Sequence, residues 1–292
     1  LRIASVLIAA LTAVALAACG DSKSEKSSTT SGGDVGPKTA TLSLSISEAG
    51  KSAKFTAPAS TKGGLVEVTL DNKGKQPHAA QLIRLLGGHT PAEAVKTVGS
   101  NSPKTPPWLR GEGGPSAAPP GKASKASVIL PPGNYVVVDS GGPGSGPPAY
   151  KALKVTAGAS GDLPTTPTTV TAASSGKDHF KWQLSGKLRT GDNRITFVSK
   201  GKDTIHFVGA FRVKGNVPLA KIQKGLASNG KPPAFIDGSS FTTTSVLDSG
   251  KSEVTSLGLP KPGQWVLFCP LSDRDGGKPH DQEGLLTKIT VK

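Results

Sequence analysis

The sequence predicts an all-β protein: two β-sandwiches in tandem, each interrupted by one short helix. Three observations predict it. Apolar and polar residues alternate with period two over many short runs. Turn formers are abundant, with 37 glycines and 24 prolines in 292 residues, more than usual for a globular chain but below the level of a disordered one. The second half of the chain also repeats the plan of the first, and such self-similarity decides the fold before any local signal does.

Taken in chain order, residues 1–18 come first. Arg2 precedes an Ala-rich apolar run from Ile3 to Ala18 that is short for a membrane span and has the shape of a signal peptide. Leu1 and the single basic residue of this leader fit a start that lacks a few residues. The leader ends in Leu16-Ala17-Ala18-Cys19, which resembles the lipobox of bacterial lipoproteins. That resemblance implies cleavage before Cys19, a diacylglycerol on its thiol and anchoring at the outer face of a membrane, where two or three acyl chains hold stably. Residues 19–37 are polar and rich in Ser, Lys, Thr and Gly, as expected of a flexible tether.

The repeat occupies the remainder. His78, Arg84 and Gly87 align with His206, Arg212 and Gly215 once a single residue is inserted before the histidine. Pro106-Pro107-Trp108 matches Pro232-Pro233 with Phe235. Pro132-Gly133-Asn134-Tyr135-Val136-Val137-Val138-Asp139 matches Pro262-Gly263-Gln264-Trp265-Val266-Leu267-Phe268-Cys269. Each half closes on an alternating strand, Ala152 to Thr156 and Leu286 to Val291. The domains are therefore expected at 38–157 and 168–292, with a Gly/Pro/Thr-rich linker at 158–167. Leu42, Leu44 and Ile46 alternate with polar residues, as do Val66, Val68 and Leu70, then Phe180, Trp182 and Leu184, and finally Ile195 and Phe197. Thr90-Pro91-Ala92-Glu93 reads as a capping box opening a helix through Val98, and Asn216-Val217-Pro218 takes the same part before Leu219 to Lys224.

The formal charge is +15, and loss of the leader removes Arg2 alone, leaving +14. The lysines are scattered among Gly and Ser, which describes a solvated basic surface rather than a polyanion groove, and basic and aromatic residues do not interleave as nucleic-acid binding requires. With Cys19 lipidated, Cys269 is the one thiol left, so the mature chain has no internal disulfide.

An early-strand His, a Gly-aromatic strand ending in Cys and a His before the last strand together resemble a cupredoxin. The resemblance covers most of residues 192–292 and, more weakly, 61–157. It implies a Greek-key β-sandwich with a type 1 copper held by His206, Cys269 and His280. Thiolate and imidazole donors favour copper, and a weak axial ligand tunes its potential. Leu285 stands where the family usually places an axial Met, which implies a three-coordinate site of raised potential. The sequence departs from the family in one respect: ten residues, Pro270 to Pro279, separate Cys269 from His280, many more than is usual. The first domain keeps His78, but Asp139 replaces the Cys and the Gly141-to-Pro148 loop supplies no second His, so this copy is expected to hold no metal.

Other motifs carry less. Gly225 to Lys231 has phosphate-loop spacing, but Pro232 follows where Ser or Thr is required. Asp273-Arg274-Asp275-Gly276 reads as a turn, His89 and His179 are assigned nothing, and Trp108 is read as the aromatic pin of a long loop. The expectation is thus a membrane-anchored, extracytoplasmic protein that binds copper or passes single electrons to a redox or cell-surface partner, with no nucleic acid. It is further expected not to be an enzyme, because five histidines cannot build the extra clusters of a multicopper oxidase. The alternative is a metal-free surface-binding or structural module.

Overall fold

The computed structural model describes residues 39–49, 52–100, 102–141, 148–174, 179–228 and 232–292. The leader, Cys19, the tether, part of the Gly-rich loop after Asp139 and the end of the phosphate-loop-like stretch lie outside these residues. Among the described residues no helix is long and apolar enough to cross a membrane.

The first half forms β1 (Ala40–Ala49), β2 (Ser52–Thr56), β3 (Ser60–Lys62), β4 (Gly64–Asn72), β5 (Ala80–Leu85), α1 (Pro91–Val98), β6 (Leu109–Gly111), β7 (Ala123–Leu130), β8 (Gly133–Asp139) and β9 (Tyr150–Thr156). The second forms β10 (Thr168–Ser174), β11 (Phe180–Ser185), β12 (Gly191–Ser199), β13 (Ile205–His206), β14 (Gly209–Val213), α2 (Leu219–Leu226), β15 (Ile236–Thr243), β16 (Leu247–Asp248), β17 (Ser252–Leu259), β18 (Gly263–Phe268) and β19 (Leu286–Val291). Among the described residues the chain is all-β with two short α-helices, as its alternation predicts.

The repeat is visible in the pairing. The order β2-β1-β4-β7 in the first half recurs as β11-β10-β12-β17 in the second. In both, the central contact, β1 with β4 or β10 with β12, is parallel. The facing sheets also correspond, β9-β8-β5 to β19-β18-β14. The two halves join where β7 and β17 pair antiparallel through Val128–Glu253 and Ser127–Val254, so that one eight-stranded sheet runs through the molecule.

Each half has an inner core between its sheets. Leu42, Leu44, Val66, Val68 and Leu70 pack with Tyr135, Val137 and Val155 in the first. Val170, Ile195, Phe197 and Leu257 pack with Trp265, Leu267 and Cys269 in the second. Side chains of a strand point alternately to opposite faces, yet Val136, Val138, Val266 and Phe268 are buried as well. Their outer face is roofed by α1 in the first half and α2 in the second. This explains why Tyr135 to Val138 of β8 and Trp265 to Phe268 of β18 are apolar without interruption.

α1 starts as its capping box predicts: Thr90 Oγ1 accepts from the Glu93 N–H at 3.3 Å, and Glu93 accepts from the Thr90 N–H at 2.6 Å. Thr90→Ala is therefore expected to cost about 1 kcal/mol, read as a lowered urea midpoint at constant slope. α2 differs from expectation. Its N-cap is Pro218, with no side-chain cap, and Asn216 instead accepts from Lys288 Nζ at 3.2 Å. Pro218 pre-sets the entry angle, and the buried Ile222 holds the helix by packing.

Candidate metal centre

His206 lies on β13, paired only with β16, where Ile205 faces Asp248 and His206 faces Leu247. Cys269 directly follows β18 and keeps its inward register, two residues beyond Leu267. His280 opens a single 3₁₀ turn, His280–Gln282. All three side chains are buried, and their candidate ligand atoms lie within 4.8 Å of one another. Cys269 Sγ is 4.0 Å from His280 Nδ1, and the two imidazole centroids are 4.7 Å apart.

The long loop between Cys269 and His280 does not separate them because it folds back on itself. Gly276 N–H donates to the Asp273 carbonyl at 2.9 Å, confirming the expected turn, and His280 N–H donates to the Leu271 carbonyl at 2.7 Å. Asp281 N–H then reaches the Cys269 carbonyl at 2.8 Å. The ten residues are a closed excursion whose ends meet, so their number does not set the distance between the two ligands. Leu285 is fully buried in the apolar cluster of Cys269, and its carbonyl accepts from the Cys269 N–H at 3.1 Å.

Two side chains about this centre carry no sequence signal of their role. Asp273 Oδ1 lies 3.0 Å from His280 Nε2. A carboxylate there selects the tautomer with the proton on Nε2 and leaves the Nδ1 lone pair directed toward Cys269. Phe180 covers both imidazoles, tilted at 4.3 Å from His280 and edge-on at 5.5 Å from His206.

Burial keeps the pocket uncharged. It pushes the Cys269 thiol up to about 12, against the backbone N–H groups of Phe207 and Leu271 that favour the thiolate, and the charge of Asp281 adds to the rise. It depresses His206 to about 3, helped by the neighbouring His280 and opposed by the Lys200 backbone. Burial lowers His280 too, with Asp273 opposing it. Neither nitrogen of His206 has a hydrogen bond of ordinary geometry, so the Lys200 backbone acts on it only as a loose neighbour. A buried imidazole without such a bond is costly, and metal ligation is a role that would offset that cost.

The corresponding place in the first half is filled differently. His78 Nδ1 meets Asp139 Oδ2 at 2.7 Å, and Nε2 meets Glu48 Oε1 at 2.9 Å. Desolvation raises the Glu48 pKa, yet its bonds from His78, Lys75 and Gln76 outweigh this and leave it lowered. Asp139 was visible in the repeat; Glu48, 30 residues upstream of His78, was not. Both imidazole nitrogens are thus occupied by carboxylates. Of the residues assigned no role, His89 stacks on Trp108 with ring centroids 4.0 Å apart, which pins the long loop as expected of Trp108.

No protein-family model matches the chain. No curated protein matches it. Solved structures similar to it include a multicopper oxidase, at 14% identity over 86% of this chain and 88% of the other, TM-score 0.24. A copper nitrite reductase from Nitrosomonas europaea is 15% identical over 87% of this chain and 94% of its own, TM-score 0.26. Auracyanin A, a "blue" copper protein from Chloroflexus aurantiacus, is 18% identical over 40% of this chain and 99% of its own, TM-score 0.29. The expectation that the chain is not an enzyme is corrected here, because the matched structures include a multicopper oxidase and copper nitrite reductases, which are enzymes. A count of histidines limits how many metal clusters one chain can build. It does not bear on catalysis at a single centre.

Proposed function

We propose that the chain is an extracytoplasmic copper protein, anchored through a lipid on Cys19, that holds one copper ion between His206, Cys269 and His280 and passes single electrons. The observation that carries this reading is the buried His206, with no hydrogen bond of ordinary geometry on either nitrogen, whose ligand atom lies within 4.8 Å of those of a second imidazole and the remaining thiol. The residues fit the metal: one soft thiolate and two neutral imidazoles are copper donors, and neither calcium nor magnesium would choose them. Bound there, copper would supply a one-electron couple.

The chain's own groups do the rest. Asp273 holds the proton on His280 Nε2. The N–H groups of Phe207 and Leu271 stand ready to stabilise a thiolate at Cys269. Phe180 excludes water from the imidazoles. Leu285, buried in the apolar cluster of Cys269, would add hydrocarbon and no donor to the site. In the first half, the Glu48–His78–Asp139 arrangement supports reading that copy as a domain without a thiolate centre.

The test is titration of Cu(II) into the full chain carrying Cys19→Ser, so that Cys269 is its one thiol. An intense visible thiolate-to-copper charge-transfer band is expected, and Cys269→Ser should abolish it. Weak absorption that is identical in both proteins would overturn the copper reading and leave a metal-free surface module.

A further inference from the structure

The two histidines come from separate parts of the chain, a two-residue strand and a long loop. One buried carboxylate connects them. Asp248 sits on β16, opposite Ile205 and hence beside the strand that carries His206. Its Oδ1 binds Arg274 Nη2, in the loop that carries His280 and immediately after Asp273, the residue bonded to His280 Nε2. Asp248 also reaches into the other half of the molecule, accepting from Arg110 Nη1 at 3.2 Å and the Gly111 N–H at 3.3 Å.

Arg274 is clamped from the same side. Its Nη1 donates to the carbonyls of Pro106 at 2.9 Å and Thr105 at 3.4 Å, while the Thr105 N–H donates to the Arg274 carbonyl at 2.9 Å. An arginine fork shared among a carboxylate and two carbonyls fixes direction as well as distance, which a lysine ammonium does not. Arg274 is only 7% exposed, although it lies in a loop of Asp, Gly, Lys and Pro.

We propose that Arg274, anchored on Asp248, is a positioning residue for the His206–His280 pair, and that the first half braces the metal loop through Thr105 and Pro106. The first half thus contributes to a centre to which it gives no ligand. This inference rests on the copper reading for its consequence, but the mechanical part can be measured without metal.

The test compares Arg274→Ala, Arg274→Lys and Arg110→Ala in the full chain with Cys19→Ser. Arg110 binds the same carboxylate but does not touch the metal loop, so Arg110→Ala controls for simple loosening between the halves. Two readouts are taken: amide hydrogen exchange over residues 270–282 in the metal-free protein, and Cu(II) affinity with its charge-transfer spectrum. Arg274→Ala is expected to speed exchange over 270–282, to weaken copper about tenfold, the scale of outer groups that orient ligands, and to shift the band. Arg274→Lys should recover part of each, while Arg110→Ala leaves spectrum and affinity in place. Exchange and spectrum in Arg274→Ala no different from those in Arg110→Ala would overturn the proposal. If the parent protein takes up no copper, the copper reading fails, and the exchange comparison still decides whether Arg274 sets the loop.

Discussion

The stability of the parent chain relative to Glu253→Gln should fall as pH rises from about 4.5 to 8, while His206 and His280, both lowered by burial, push the other way below about 6.5 equally in both proteins. Glu253 is fully buried on β17 where the two halves meet. Its Oε2 accepts from the Gly114 N–H at 2.8 Å, while Oε1 has no partner. Burial raises its pKa from the ordinary 4.5 to about 8, only partly offset by the Gly114 bond. The sign follows from proton counts. Between those values the folded chain keeps a proton that the unfolded chain has released, so raising the pH favours unfolding. The stabilisation is complete below about 4.5 and gone above about 8. Each tenfold difference in proton affinity between the folded and unfolded chain is worth about 1.4 kcal/mol, so the whole fall amounts to several kcal/mol. Glu112 at the same seam is also raised by burial, although Lys251 and Arg84 oppose it, and it acts alike in both proteins. The measurement is urea unfolding of both proteins at intervals from pH 4 to 9. Curves that stay parallel throughout would mean that Glu253 is ionised in the folded chain, and the argument from its burial would be wrong.

The sequence revealed strands and the rare donor side chains because both are local or conspicuous signals. Leu42, Leu44 and Ile46 line one face of β1, and all three are buried, because a half-exposed strand must alternate. His206, Cys269 and His280 stood out in a chain of five histidines and two cysteines, and the structure brings them into one pocket. Groups defined by distant packing were not legible. Phe180 reads as one more alternating aromatic of β11, and only the fold lays it across the two imidazoles. Arg274 looks like a solvated turn residue because its partners Asp248, Thr105 and Pro106 lie 26 to 169 positions away. The continuous sheet was invisible for the same reason. β7 and β17 meet over two residue pairs, and the surrounding seam is built from polar contacts such as Gln81 with Val246 and Ser116 with Thr255.

Copper should raise the thermal midpoint of the full Cys19→Ser chain, and Cys269→Ser should lose the whole increase. His206 is buried, and neither nitrogen has a hydrogen bond of ordinary geometry, a cost on the order of 1–3 kcal/mol. A metal between the three side chains would relieve that cost only in the folded chain, because unfolding scatters ligands that lie 63 and 11 positions apart. Binding to the folded state alone adds about 2.7 kcal/mol at a free metal concentration one hundredfold above Kd. For a chain of this size that is a rise of roughly 5–10 °C. Asp273→Asn should keep part of it. Asparagine can still accept from His280 Nε2, but without the charge that raises ligand basicity, so affinity should drop about tenfold and the gain by about 1.4 kcal/mol. The ordering parent, Asp273→Asn, Cys269→Ser is what a buried three-residue centre requires. Copper bound by surface groups would shift all three proteins alike, and that result would dismiss the pocket as the metal's place.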